Sequence, residues 1–196
     1  MTNRERHLQL GPHRIGPNEP CFVIAEIGVN HNGDLDIAKR LVDAAVAAGT
    51  DAVKFQKRKL TETYRQEILD QPRRGEQGMQ YIVPLLVEFE LSVAAFRELH
   101  AYSTDRGVTF MCTPWDRASV DFLETLDLVG YKIGSPDMTN FPLIDYVVGT
   151  GKPVLVSTGM STEDEIRATI THLDALGAEY ALFHAVSTYP AMPEEI

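Results

Sequence analysis

Asp51-Ala-Val-Lys-Phe-Gln56 decides how this 196-residue chain is read. The run is short, apolar and β-prone, yet it carries a lysine and a glutamine two residues apart. A strand alternates its side chains between two faces, so Lys54 and Gln56 share one face and Val53 and Phe55 the other. Covering helices would bury Val53 and Phe55. Lys54 and Gln56 would then face a polar mouth, where a lysine among apolar neighbours needs a partner.

The same pattern extends along the chain in both directions. Strands are expected at 22–26, 51–56, 108–113, 130–134, 153–157 and 180–184. Ala38, Leu41, Val42 and Ala45 mark a helix that begins near Leu35 and stops at Gly49. Ser92 caps a helix carrying Ala95, Phe96, Leu99 and Tyr102. Further helices are expected at 118–126 and 143–148. Thr162-x-x-Glu165 is a capping box that opens a helix with Ile166, Ile170 and Leu173 as its apolar stripe. Six strands alternating with five helices predict a parallel sheet with helical crossovers.

Two α/β architectures fit that alternation: an open doubly wound sheet and a (β/α)8 TIM barrel. The open sheet usually has a Gly-rich turn after its first strand. Glu26-Ile-Gly-Val-Asn-His-Asn-Gly33 is not that turn. Polar residues gather instead at strand ends: Glu26, Lys54 and Gln56, Thr113, Lys132 and Ser135, Ser157, Ser187 and Tyr189. A barrel builds its active site there. The expectation is an α/β (β/α)8 barrel, truncated after the sixth strand, because a whole barrel takes about 250 residues. Segment 58–91 is longer than an ordinary connection and reads as a lid with a short helix near 81–86.

Composition narrows the partners. With 44% hydrophobic and 23% charged residues the chain can bury a core. A net charge of −10 argues against nucleic acid, which needs a basic footprint. No apolar run approaches the ~20 residues of a membrane span, and the polar start carries no apolar signal segment. Two cysteines, Cys21 and Cys112, read as reduced thiols in a cytoplasmic protein.

Lys54 and Lys132, near the ends of two strands, suggest a dianionic ligand. Gln56, Thr113, Ser135 and Ser157 would add the neutral hydrogen bonds that orient it. The alternative for Lys54 is an ion pair with Glu26 and no ligand. Glu26 could instead accept from sugar hydroxyls or move a proton. Asp137 is either a base at the same mouth or the start of the turn Asp137-Met-Thr-Asn140. His31 reads as a loop-ordering residue, Lys57-Arg58-Lys59 as a solvated patch, His184 as a core histidine and Cys112 as core filler. Pro114 and Trp115 would shape the third loop.

Five ordered motifs carry a resemblance: Ile24-Ala-Glu-Ile-Gly-Val-Asn-His-Asn-Gly-Asp34, Asp51-Ala-Val-Lys-Phe-Gln-Lys57, Tyr131-Lys-Ile-Gly-Ser135, Ser157-Thr-Gly-Met-Ser161 and Ser187-Thr-Tyr-Pro190. From Ile15 onward the chain resembles the sialic acid synthase family of N-acetylneuraminate, legionaminate, pseudaminate and spore-coat polysaccharide synthases. That resemblance implies condensation of phosphoenolpyruvate with an N-acetylated hexosamine to a nine-carbon 2-keto acid, with release of phosphate. It implies a divalent metal, Mn or Mg, and a homodimer in the complete form. It assigns Lys54, Gln56, Thr113, Lys132, Ser135, Ser157 and Ser187 to phosphoenolpyruvate, Glu26 and Tyr189 to the sugar, and proton transfer to Asp137. Pro136 and Asp137 depart from the Gly and Glu common in the family.

The family's two metal-binding histidines, the first in a Ser-Asp-His motif, have no counterpart, nor has its antifreeze-like C-terminal domain. Residues 1–196 therefore read as the N-terminal part of a synthase barrel, expected to be inactive alone. Two other functions remain open. One is a non-catalytic assembly module, because unclosed strand edges invite association. The other is an aldolase-type enzyme using Lys54 or Lys132 as a Schiff base.

Overall fold

Leu8-Gln-Leu10 and His13-Arg-Ile15 flank Gly11, and in the computed structural model they form an antiparallel hairpin, β1 (Leu8–Leu10) and β2 (His13–Ile15). Residues 7–75, 78–188 and 192–195 are described. After the hairpin come β3 (Ile24–Gly28), α1 (Leu35–Ala47), β4 (Ala52–Lys57), α2 (Leu60–Thr63), α3 (Gln66–Asp70) and α4 (Met79–Glu88). There follow α5 (Val93–Asp105), β5 (Thr109–Pro114), α6 (Arg117–Glu124), β6 (Tyr131–Ile133), α7 (Phe141–Val148), β7 (Val154–Ser157), α8 (Glu163–Ala175) and β8 (Tyr180–Phe183). Strands β3 to β8 follow one another in sequence order. That order is the one a β/α repeat gives, and it lacks the reversal of a doubly wound sheet.

The chain divides into two compact units. The first spans 22–128 and holds β3, β4 and β5 in parallel register, Val53 opposite Ala25 and Phe110. Val53 and Phe55 are fully buried, as the strand alternation predicts. Phe55 stacks on Phe110 at 5.2 Å between ring centroids, and Phe96 of α5 meets Phe110 edge-on at 5.6 Å. Each such side chain contributes about 1.5–3 kcal/mol by leaving water. Ser92 caps α5 by accepting from the Ala95 N–H. Asp34 and Asp116 cap α1 and α6 in the same way.

The second unit joins residues 1–21 to 129–196. Here β6, β7 and β8 pair in parallel, and Tyr131, Ile133, Val154 and Val156 are buried with Leu143, Ile144 and Val147 of α7 and Leu173 of α8. The Thr162–Glu165 capping box forms as its spacing predicts. Leu10 of the hairpin packs over Gly130, where an added Cβ would meet its Cδ2 at 2.7 Å.

Three expectations need correction. The first strand starts at Ile24 rather than Phe22, and extends to Gly28. Segment 58–91 holds the short helix expected near 81–86, as α4, but its described residues add two further α-helices, α2 and α3. His184 lies beyond β8 and is exposed, so it is not a core residue.

Candidate functional site

Strands β3, β4 and β5 hold the first cluster. Glu26 and Lys54 are register partners on adjacent parallel strands, which puts their side chains on one face. Lys54 Nζ lies 2.5 Å from Glu26 Oε2 and donates to Thr113 Oγ1 at 3.1 Å. The Lys54 side chain is 8% exposed and that of Glu26 53%, so a buried cation meets a carboxylate that is half in water. The Glu26 ion pair weighed as the alternative for Lys54 is thus present, and an anion arriving from the solvent side would compete with Glu26 for the ammonium.

Gln56 follows on the same face. Its Oε1 accepts from Arg58 Nη2 at 2.5 Å and from Trp115 Nε1 at 3.2 Å. Gly28 adopts φ +58°, and a Cβ there would sit 3.1 Å from Glu26 Oε1 and 3.4 Å from Gln56 Nε2. Glycine thus leaves open the space that these two polar groups border.

Lys57 and Arg58 are not a solvated patch. Both are buried, at 8% and 7% exposure. Lys57 takes the face opposite Lys54, pairs with Glu90, donates to the Leu91 carbonyl at 3.3 Å and lies over the Phe96 ring. A cavity of about 430 Å³ beside it is lined by Leu91, Val93, Ala118 and Phe122 but not by Lys54 or Gln56. Arg58 stacks on the Trp115 indole, 4.5 Å from guanidinium carbon to ring centroid. Burial draws its pKa down while Tyr64, Glu90 and Asp116 oppose that shift. The sequence hid this node because Arg58 and Trp115 meet only when β4 and β5 pair.

His31 behaves as read. It is 3% exposed, and its Nδ1 accepts from the Gly33 N–H at 3.1 Å. Burial lowers its pKa and so favours the neutral ring. Burial also pushes the Cys112 thiol far above its ordinary range, as befits core filler.

The second unit holds the second cluster. Lys132 of β6 is 7% exposed, donates to Ser157 Oγ on β7 and to the Ile133 carbonyl at 2.8 Å, and lies 5.2 Å from the Phe183 ring centroid. Ser135 and Ser187 converge on Gly159, where an added Cβ would lie 2.7 and 2.9 Å from their hydroxyl oxygens. Gly159 was not singled out by its sequence, though it falls inside Ser157-Thr-Gly-Met-Ser161. Asp137 begins a turn, accepting through Oδ1 from Asn140 Nδ2 at 2.9 Å, while the Asn140 N–H bonds its carbonyl. Tyr189 lies outside the described residues. Among the described residues, no three His, Cys, Asp or Glu side chains stand together as metal ligands. No single described helix is long and apolar enough to cross a membrane.

A parallel β/α chain with buried lysines and hydroxyls on its strands and the turns that follow them is of the class that binds small ligands at the C-terminal side of the sheet. Residues 41–196 match the NeuB family, and the chain belongs to that family. It is 34% identical over 192 residues to the human N-acetylneuraminate-9-phosphate synthase, covering 96% of this chain and 53% of that protein. It is 36% identical over 190 residues to the N,N'-diacetyllegionaminic acid synthase of Legionella pneumophila, covering 92% and 53%. The crystal structure of the sialic acid synthetase of Leptospira borgpetersenii, in complex with citrate, superposes with a TM-score of 0.84 at 30% identity, covering 97% of this chain and 63% of that one. The chain spans about half the length of the curated relatives it matches.

Proposed function

We propose that the protein carrying this chain condenses phosphoenolpyruvate with an N-acetylated hexosamine to a nine-carbon 2-keto sugar acid. The reading rests on one observation above all: Lys54 is a buried cation within β4, held between Glu26 and Thr113. The methylene carbon of phosphoenolpyruvate forms a bond to the sugar's aldehyde carbon, and the aldehyde oxygen takes up a proton. Water adds at the phosphate-bearing carbon, and phosphate leaves with its bridging oxygen.

The chain's residues serve binding and orientation, the main source of rate when two reactants must meet face to face. Lys54, with Gln56 and Thr113, takes one part of the anion. Lys132, with Ser135, Ser157 and Ser187, is assigned to the same substrate. Glu26 and Tyr189 take the sugar, and Asp137 moves a proton. A divalent metal, Mn or Mg, would polarise the aldehyde. Among the described residues no group of His, Cys, Asp or Glu side chains fits it. Family relatives that make sialic and legionaminic acids support the substrate class.

The test is phosphate release from phosphoenolpyruvate by the protein carrying this chain, with N-acetylmannosamine and Mn²⁺ each present or omitted. Release that requires both is the expected result. Release without the sugar, or none with any N-acetylhexosamine, contradicts the reading.

A further inference from the structure

We propose that Arg58 and Trp115 are positioning residues that fix the polarity of the Gln56 amide, so that Gln56 presents its NH₂ to substrate. This deepens the reading of the Glu26–Lys54–Gln56 face as a substrate face and rests on it. A glutamine amide can turn over at little cost, exchanging a donor for an acceptor at the same place. Here two donors aim at a single atom. Arg58 Nη2 and Trp115 Nε1 both donate to Gln56 Oε1, at 2.5 and 3.2 Å. Neither can accept a hydrogen bond in return, because guanidinium and indole N–H groups are donors only. Turning the amide would set its NH₂ against two donors and lose both bonds.

The clamp is itself held in place. Arg58 stacks on the Trp115 ring, and Trp115 takes a backbone bond from its N–H to the Lys57 carbonyl at 3.0 Å. At 7% exposure Arg58 has little freedom to leave. The other end of the amide is thereby committed. Gln56 Nε2 borders the space over Gly28, across from Glu26 Oε1. That space is lined by one acceptor and one donor of fixed sense. It suits a group offering both, such as a sugar hydroxyl, or a phosphate or carboxylate oxygen on the Gln56 side. The strand alternation alone gives the position of Gln56 but not which end of its amide faces the ligand.

The experiment uses the protein carrying this chain, with phosphoenolpyruvate as the probe. Side-chain amide NMR, assigned to Gln56 by the signal lost in Gln56→Glu, reports the clamp without ligand. Trp115→Phe, which keeps the ring and removes the N–H, should shift the Gln56 NH₂ signals and weaken phosphoenolpyruvate binding about three- to tenfold, the value of one hydrogen bond. Gln56→Glu keeps the acceptor for Arg58 and Trp115 and loses the donor. It should weaken binding at least as much, and Trp115→Phe should then add little in that background.

A structural role for Trp115 would instead lower stability while leaving the Gln56 signals and the affinity unchanged, which overturns the proposal. Equal losses from Trp115→Phe with and without Gln56 overturn it too. If phosphoenolpyruvate shifts no signal at all in the unsubstituted chain, the substrate reading fails. The clamp is then still judged by whether Trp115→Phe moves the Gln56 NH₂ signals.

Discussion

Lys54 Nζ and Glu26 Oε2 lie 2.5 Å apart, and the two residues are register partners on adjacent parallel strands. Their burial is unequal, 8% for the lysine side chain and 53% for the glutamate. Removing one member therefore differs from removing the other. Glu26→Gln leaves a buried ammonium without its anion and should cost about 1–2 kcal/mol, less than a fully buried pair because Glu26 is half in water. Lys54→Met removes the buried charge and keeps the volume, so stability should change by less than about 1 kcal/mol or rise. Urea unfolding of both variants checks the asymmetry. A larger loss for Lys54→Met would mean that the pair itself, rather than a ligand site, is what the lysine maintains.

Gly159 is the meeting point of the second cluster. A methyl group there would lie 2.7 Å from Ser135 Oγ and 2.9 Å from Ser187 Oγ. Gly159→Ala should destabilise the chain by about 1–3 kcal/mol through overpacking. Combining it with Ser135→Ala and Ser187→Ala removes both close atoms and should recover most of the loss. Thermal or urea unfolding of the single and triple variants reads the difference. No recovery would place the strain in the backbone instead.

Asp116 ties segment 58–91 to α6. One oxygen accepts from the Ser119 N–H at 2.7 Å, and the other accepts from the Lys59 N–H at 2.6 Å and Ser119 Oγ at 2.9 Å. Asp116→Ala removes the α6 cap and leaves the Lys59 N–H unsatisfied, at a cost of about 2–3 kcal/mol. Limited proteolysis should then cut first within 58–91. Cleavage that begins elsewhere would show that Asp116 does not anchor this segment.

His31 gives the chain a pH dependence of known sign. Burial lowers its pKa in the folded state from the ordinary 6.5. Below 6.5 the unfolded chain takes up a proton that the folded chain refuses, so stability present above 6.5 falls as pH drops toward the folded value. His100, lowered by the same cause, adds to the slope. His31→Asn keeps an acceptor for the Gly33 N–H and should flatten part of this loss, as urea midpoints across pH 7 to about 5 would show. An unchanged slope would assign the whole effect to His100.

The sequence showed most of the fold where local rules operate. The Ser92 cap, the Thr162–Glu165 capping box and the alternation that buries Val53 and Phe55 are all decided within a few residues. The hairpin at 8–15 went unread because its alternation is only three residues a side and sits among charged neighbours. The burial of Lys57 and Arg58 is not legible locally because their partners, Glu90 and Trp115, lie 33 and 57 residues away in sequence. Tertiary pairing with Glu90 and Trp115 buries Lys57 and Arg58, while Lys59 stays exposed. For the candidate site, Glu26, Lys54, Gln56 and Thr113 were legible as residues meeting on one face. The direction of the Gln56 amide was not, since residues from outside the motif set it.

The central claim is that the buried β4 lysine Lys54 holds phosphoenolpyruvate. Calorimetric titration of phosphoenolpyruvate into the chain and into Lys54→Met tests it most directly, with urea unfolding to confirm that both are folded. The account predicts binding by the unsubstituted chain and a loss of at least about tenfold in Lys54→Met, the least expected when a charge-assisted hydrogen bond to the ligand is removed. Equal affinity in the two folded proteins, or no binding by either, would contradict it.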